Sequence, residues 1–571
     1  MNDINKLYSL WCEKAVADPD LQAELAAVKG KDEEINDRFY RNLEFGTAGL
    51  RGIIGAGTNR MNVYTVGQAT QGLASYLLDE YEKPTVAIAY DSRIKSTEFA
   101  KFAAAVLAAN GIKVWFYPEL VPTPMLSFAV RELHCKGGII ITASHNPAEY
   151  NGYKCYDPEG YQMTDEAASK TYEFIQKTDI FSEIKTMDFD AAVESGLVEY
   201  ITDDLVERFY SCVEKCCLSK DITAKTDLRV IYTPLNGTGN KHVRAMLERI
   251  GIKNVCVVKE QELPDGNFPT CPYPNPEIKQ VFECAIKMTE HEKADLLLAT
   301  DPDCDRVGIA VLNGGEYKLM TGNEVGVLLA EYLLSRRKEL GILPENAVVV
   351  KSFVTTDLVD AVAAKYGVSV KKLLTGFKYI GEYITELEAK GEADRFVIGM
   401  EESYGYLSGI HARDKDAVVA STLICEMAAY YKAKGISLYE KMQEIYKEHG
   451  YYLNRVISFE FKGESGMEKM AQIMETLRND SLDSIADYKV LSISDYKKSE
   501  TVDVVTGEKS LIDLPKSNVL AYALEKANGV IIRPSGTEPK IKVYFTARGN
   551  DKKSAEGIFS ALSEDMEKYL K

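Results

Sequence analysis

Residues 85–146 read TVAIAYDSRIKSTEFAKFAAAVLAANGIKVWFYPELVPTPMLSFAVRELHCKGGIIITASHN. Three apolar runs, TVAIAY, KVWFY and GGIIITAS, are bounded by turn residues and separated by helix-like stretches such as TEFAKFAAAVLAAN. Short β-forming runs alternating with helical segments spell a strand–helix–strand–helix–strand unit. The order returns from Leu228 as LRVIYT, HVRAMLERIG, NVCVV, a helical stretch PEIKQVFECAIKMTEHEK and ADLLLATD. It returns again as AVVVKSF, TTDLVDAVAAKYG, SVKKLL, FKYIGEYITELEAK and RFVIGMEES, residues 347–403. After about Asn454 the pattern changes to RVISFEF, a helix near GMEKMAQIMETLRND, GVIIRP, KIKVYFTA and a final helix. The fold class expected is therefore α/β: three related α/β domains with mixed sheets plus a smaller α+β C-terminal domain.

Length agrees with this division, since 571 residues exceed one hydrophobic core and suggest about three to five domains. Polar joints near Thr202, Met320 and His449 place the domains at 1–205 with an N-terminal extension, 206–320, 321–450 and 451–571. With 46% hydrophobic and 27% charged residues, the composition is that of an ordinary globular chain. The start, MNDINKLYSLWCEK, has no basic segment leading into an apolar one, and no apolar run is long enough for a membrane span, so a cytoplasmic location is expected. Eleven cysteines without a C-x-x-C pair or zinc spacing predict free thiols. A net charge of −18 disfavours nucleic acid and acidic membranes as partners, and it requires any phosphate ligand to meet a local cluster of Arg and Lys.

Ligands of open α/β sheets sit at the carboxyl ends of strands, so the residues following each third strand carry the functional reading. The first unit delivers Thr142-Ala143-Ser144-His145-Asn146-Pro147, a turn with an exposed hydroxyl beside an imidazole. Alone it also reads as a turn with hydroxyl caps. The second delivers Asp301-Pro302-Asp303-Cys304-Asp305-Arg306, whose carboxylates, alternating on an extended loop, would face one side and wrap a hard cation. It is not an EF-hand, because Arg306 and Leu312 stand where Gly and Glu are required, but it also reads as an acidic hairpin turn. The third delivers Glu401-Glu402-Ser403, an acceptor and a donor two apart on an extended segment, suited to adjacent sugar hydroxyls or simply a loop.

Near the C-terminus, Arg533-Pro534-Ser535-Gly536-Thr537-Glu538-Pro539-Lys540 joins two apolar strands. A guanidinium fork, two hydroxyls and glycine-exposed backbone N–H groups form a phosphate cradle, or else a surface hairpin. No G-K-[ST] sequence occurs, so a Walker loop is excluded, and so is a G-x-S-x-G hydrolase elbow. Gly55-Ala56-Gly57 lacks a third glycine and a preceding strand, and reads as a turn.

These loops, in this order and spacing, closely resemble the α-D-phosphohexomutase superfamily from about Phe45 to Phe545. Phe45 to Gly52 is similar to the family's N-terminal signature with Arg51, and Asn151-Gly152-Tyr153-Lys154 to the continuation of its phosphoserine loop. His411-Ala412-Arg413-Asp414-Lys415-Asp416 is similar to a segment whose lysine is a proposed acid/base, although it also reads as a charged solvated turn. Met400, before the glutamate pair, resembles the longer phosphoglucomutase/phosphopentomutase-like branch.

The resemblance implies four domains in a heart shape around a central cleft, and an isomerase that interconverts hexose 1- and 6-phosphates through phosphorylated Ser144. It implies one Mg2+ per chain held by Ser144, Asp301, Asp303 and Asp305, with glucose 1,6-bisphosphate as intermediate and activator. Arg51, His145, Lys154, Arg306 and Lys415 would be catalytic, and Glu401, Ser403, Arg533, Ser535, Gly536 and Thr537 would bind substrate. Glucose phosphate is the favoured sugar; mannose or pentose phosphates, bisphosphate synthesis, or a silent sugar-phosphate sensor are the alternatives. Small sugar phosphates are the expected partners of a monomer or weak homo-oligomer.

Overall fold

A computed structural model describes residues 3–46, 49–461, 466–480, 482–535 and 540–570. The chain divides into two compact units, residues 1–325 with 377–437, and residues 326–376 with 438–571.

In the first unit the quoted stretch forms strands Thr85–Tyr90, Lys113–Phe116 and Gly137–Ile141, with helices Ser96–Ala109 and Thr123–Glu132 between them. These strands are parallel, and Gly137–Ile141 is buried along its whole length, which is why it reads as an unbroken apolar run. The six-stranded sheet runs in the order Gly49–Ile53, Tyr150–Tyr156, Gly137–Ile141, Thr85–Tyr90, Lys113–Phe116, Val198–Tyr200, its first two pairings antiparallel. It is thus mixed, as expected. Three N-terminal helices, Asp3–Lys14, Pro19–Ala27 and Asp32–Phe39, pack beside it around fully buried Trp11.

The second sheet has five strands and is also mixed, in the order Glu316–Leu319, Val307–Asn313, Leu296–Thr300, Arg229–Thr233, Asn254–Val257. The long helix expected over residues 276–293 shrinks to a 3-10 turn, Lys279–Phe282, and a short helix, Glu283–Met288. The antiparallel pair Phe396–Glu401 and Gly405–Leu407 and the buried helix Ala417–Ala433 complete this unit. Asp416 starts that helix by accepting the N–H groups of Val418 and Val419.

The second unit holds the parallel pair Val348–Ser352 and Ser369–Leu373. Its larger part is an antiparallel sheet ordered Tyr451–Glu460, Lys540–Gly549, Asn528–Pro534, Leu520–Leu524, Tyr488–Asp495, Glu500–Asp503, Lys509–Leu511. Helices Gly466–Asn479 and Lys552–Leu570 bury Met474, Leu562 and Met566 against it. All eleven cysteines are free thiols. Among the described residues no helix is long and apolar enough to cross a membrane.

Contrary to the expectation from sequence, Gly55-Ala56-Gly57 does follow a strand, Gly49–Ile53, which bonds to Tyr150–Tyr156. Two glycines in five residues hide that strand from a propensity reading. The glycines at 55 and 57 themselves form bends, as expected of a turn.

Candidate active site

Ser144 follows the buried strand Gly137–Ile141 in a turn where its backbone is left-handed, φ 52°. Cys304 in the aspartate loop (φ 51°) and Tyr404 beyond the glutamate pair (φ 67°) share that conformation. Such backbone in residues with a side chain costs free energy and persists only where surrounding contacts hold it. At Ser144 the Thr142 hydroxyl accepts the backbone N–H at 2.8 Å. The Ser144 hydroxyl, expected to be exposed, is instead buried: it donates to Asp301 Oδ2 at 2.9 Å and lies 3.1 Å from His145 Nδ1.

The aspartate loop is not extended. Cys304 N–H donates to Asp301 O and Asp301 N–H to Arg306 O, closing a tight turn, so the carboxylates converge because the chain coils round them rather than because they alternate. The turn is pinned from several elements. Thr123 and Thr238 donate backbone N–H bonds to Asp303 O and Pro302 O, and Ala417 to Cys304 O. Arg306 bridges to Gly405, linking this loop to the glutamate hairpin.

Ligand atoms of Asp301, Asp303 and Asp305 lie within 4.8 Å of one another, all buried. Asp301 Oδ1 accepts the N–H groups of Asp305 and Arg306. Asp303 Oδ2 accepts from Lys154 Nζ and Thr123 Oγ1, both at 2.9 Å. Asp305 Oδ2 faces Lys415 Nζ at 3.2 Å and Lys154 Nζ at 3.9 Å. Asp303 Oδ1 and Asp305 Oδ1 are buried and accept no hydrogen bond. Unsatisfied buried acceptors beside a third carboxylate are what a hard cation with oxygen preference requires, so the trio fits a metal ion.

Electrostatics follow from this crowding. Burial, then the repulsion of Asp303 and Asp305, pushes the Asp301 carboxyl far up. Burial acts the same way on Asp303, but the Lys154 ammonium overrides it and holds that carboxyl below the usual range. Lys415 is buried, which works against its charge, yet Asp305, Asp414 and Glu401 raise it above an ordinary lysine. Burial, then Arg306 and Arg51, push the His145 imidazole down to about 2, so it is neutral.

Lys415 is not in a solvated turn. Its segment is buried: Arg413, fully enclosed, donates to Ile410 O and to Glu388, and His411 Nε2 meets Asp416 Oδ2 at 2.8 Å. Asp414 receives the backbone N–H and Nζ of Lys415, the Tyr156 hydroxyl and the Gln162 amide. Gly405 leaves room for the lysine stem, since a Cβ there would come within 2.2 Å of Lys415 Cδ.

Glu401, buried at the end of its strand, acts electrostatically on both Lys415 and Arg306. Ser403, expected on an extended segment, instead lies in the turn between strands Phe396–Glu401 and Gly405–Leu407. Arg306 pairs with Glu277 at 2.9 Å, and Arg51, on strand Gly49–Ile53, reaches Asn146 Oδ1 at 3.4 Å. Ser144, His145, Lys154, the three aspartates, Arg306, Lys415 and Glu401 thus share one polar cluster in the first unit. Arg533 and Ser535 belong to the second unit, half-buried at the hairpin joining strands Asn528–Pro534 and Lys540–Gly549. Gly536 and Thr537 lie outside the described residues. Thr123 and Tyr156 were missed from sequence, since each acts on a partner more than 100 positions away and no local motif marks it; Asp414 stood in a quoted motif but was given no role.

Four family models match the chain in order: phosphoglucomutase/phosphomannomutase α/β/α domain I at residues 42–180, domain II at 207–314, domain III at 321–449, and the C-terminal domain at 482–563. The chain is 38% identical over 517 residues to a phosphoglucomutase of Staphylococcus saprophyticus, covering 90% of this chain and 92% of that one. Among solved structures it resembles a phosphomannomutase, so described provisionally, of Thermus thermophilus, with TM-score 0.68 and 24% identity, covering 92% of this chain and 99% of the other. It also resembles Aspergillus fumigatus N-acetylphosphoglucosamine mutase in complex with GlcNAc-6P and magnesium, at TM-score 0.50 and 14% identity, covering 97% and 100%.

Proposed function

The chain belongs to the phosphoglucomutase/phosphomannomutase family, and from that premise we propose that it works as a phosphoglucomutase, interconverting α-D-glucose 1-phosphate and glucose 6-phosphate through phosphorylated Ser144. It is a phosphohexomutase, an isomerase. The observation that carries the mechanism is the Ser144 hydroxyl bonded to one of three buried, converging aspartates.

In this reading phosphorylated Ser144 gives its phosphoryl group to the 6-hydroxyl of bound glucose 1-phosphate. The Ser144 Oγ–P bond breaks as the O6–P bond forms, leaving glucose 1,6-bisphosphate. The bisphosphate turns round, the phosphoryl at C1 returns to Ser144, and glucose 6-phosphate leaves, so no phosphate is consumed. Lys415 or His145 handles the hydroxyl proton: the neutral imidazole of His145 can accept it, whereas Lys415, held as an ammonium by its carboxylate neighbours, can only give one to the departing serine oxygen. Lys415 sits between Asp305 and Asp414, while His145 lies against the serine itself.

Asp301, Asp303, Asp305 and a phosphoserine oxygen would hold one Mg2+, which supplies charge neutralisation at the transferring group. A dication and a dianionic phosphoseryl group enter together without changing the net charge among Lys154, Lys415, Arg306 and the carboxylates. Arg306 and Lys154 orient phosphoryl oxygens, and Arg51 steadies the serine loop through Asn146. Glu401 and Ser403 take the sugar hydroxyls common to both orientations, and Arg533, Ser535, Gly536 and Thr537 take the phosphate that is not being transferred.

The test is a coupled assay of glucose 1-phosphate conversion with magnesium and catalytic glucose 1,6-bisphosphate, beside mannose 1-phosphate and ribose 1-phosphate. Fastest turnover of glucose 1-phosphate, stopped by EDTA, is the expected result. Preference for another sugar overturns the substrate, and no turnover of any overturns the reading.

A further inference from the structure

Arg93 lies in the loop after strand Thr85–Tyr90, its side chain wholly enclosed. One guanidinium gathers four backbone carbonyls of the neighbouring serine loop. Nη1 donates to Pro147 O at 2.8 Å and Tyr150 O at 3.0 Å, and Nη2 donates to Ser144 O at 2.6 Å and to Asn146 O. The same loop makes few backbone bonds of its own, from Asn146 to Ala143 and from Tyr150 to Pro147. At its head stands Ser144 in the left-handed conformation. The fork holds the Ser144 carbonyl and the loop beyond it, while Thr142 Oγ1 holds the Ser144 N–H.

Asp91 anchors the residue that carries the fork: its Oδ1 accepts the backbone N–H of Arg93 at 2.9 Å and the Ser96 hydroxyl at 2.8 Å, and its Oδ2 lies at ion-pair distance, 3.5 Å, from Arg93 Nε. The outer face of the guanidinium is covered by the Phe268 ring, 5.0 Å away, on a loop that precedes the second sheet's strand Leu296–Thr300. That loop approaches so closely that a Cβ on Gly266 would meet Ile94 N at 2.5 Å and Ser92 O at 2.8 Å.

We infer that Arg93 is a positioning residue for the nucleophile, a carbonyl clamp that keeps the Ser144 turn strained and its Oγ directed at Asp301, and that Phe268 is its cover. The inference rests on the proposed phosphotransfer at Ser144. A planar guanidinium with five fixed donors can span carbonyls from four residues, while the compact ammonium of lysine cannot. Losing the clamp should therefore misplace Oγ without touching the sugar-binding groups, and small misplacements of a reacting atom are costly in rate.

Arg93→Lys and the milder Phe268→Leu, compared with the wild-type chain, test this through kcat and KM for glucose 1-phosphate and through hydrogen–deuterium exchange of peptides covering 143–150. In Arg93→Lys, kcat should fall at least about 30-fold with KM within about threefold, and exchange should rise across 143–150 alone. Phe268→Leu should lower kcat about three- to fivefold with a smaller rise in the same peptides, and decides the matter if Arg93→Lys does not fold. A kcat within about threefold of wild type in Arg93→Lys, or unchanged exchange at 143–150 in the folded variants, overturns the clamp. If the wild-type chain itself turns over no sugar phosphate, the proposed function fails, and the exchange measurement still decides the clamp.

Discussion

In the proposed function the aspartate loop at 301–306 meets a phosphoryl group through a metal ion and the hairpin that begins at Arg533 meets a phosphate directly, and the two are built in opposite ways. Asp301, Asp303 and Asp305 are buried and ringed by Lys154, Lys415 and Arg306, and Asp301 and Asp303 also accept bonds from serine, threonine and backbone donors. Taking such charges out of water costs several kcal/mol per ion before pairing offsets it. Arg533 and Ser535 are half-buried on a plain antiparallel hairpin, where Arg533 sits opposite Lys542 and Ser535 N–H donates to Lys540 O. The first arrangement is fixed before any ligand arrives, as charge development in a transition state requires. The second is less enclosed at Arg533 and Ser535, as would suit a phosphate presented by the same bisphosphate in two orientations. The difference teaches that the cluster near Ser144 should control rate and the hairpin should control binding.

Removing the nucleophile is the strongest test of that division. Ser144→Ala should lower turnover by at least about 10⁴-fold while glucose 1-phosphate affinity, measured by calorimetry, stays within about threefold. Appreciable mutase activity in the variant would remove Ser144 from the chemistry and leave the buried cluster without a purpose. Next in size is the metal site. EDTA should abolish activity and added magnesium restore it, and Asp305→Asn should lower kcat about 10²- to 10³-fold and raise the magnesium needed for half-saturation at least about tenfold. An unchanged magnesium requirement would show that Asp305 Oδ1, buried and without a hydrogen bond here, is not a ligand.

The contrast between the loops also marks what a sequence can reveal. The parallel strands of the first two sheets were readable because buried parallel strands are short, continuous apolar runs; the loops carrying Ser144 and Asp301 follow at their carboxyl ends, and Glu401 ends the similarly apolar strand Phe396–Glu401. The identity of the aspartates was legible, but their geometry was not, because alternation suggested an extended chain where a left-handed Cys304 makes a turn. Strand Gly49–Ile53 was invisible since its stability comes from its partner Tyr150–Tyr156, about a hundred residues away, and not from its own glycine-rich sequence. Distance along the chain also hid Thr123 under Asp303 and the bond from Tyr156 to Asp414. A segment rich in charge, 411–416, invited a solvated reading, yet it is buried because its polar side chains meet partners inside: Arg413 with Glu388, His411 with Asp416, Lys415 with Asp305.

The smallest effect bears most directly on the comparison. Arg533→Met removes the guanidinium but keeps much of the stem's bulk, and the hairpin's backbone pairing does not depend on that side chain, so the fold should survive. If the hairpin only binds, it grips the distant phosphate equally in the ground state and in the transition state, and such uniform binding appears in KM and not in kcat. The expected result is a KM for glucose 1-phosphate raised about tenfold with kcat within about threefold, the loss of one charge-assisted contact at a partly exposed site. A kcat lowered about a hundredfold at unchanged KM would place Arg533 with the aspartates as a group that acts only on the transition state. The division between a cluster that controls rate and a hairpin that controls binding would then fall.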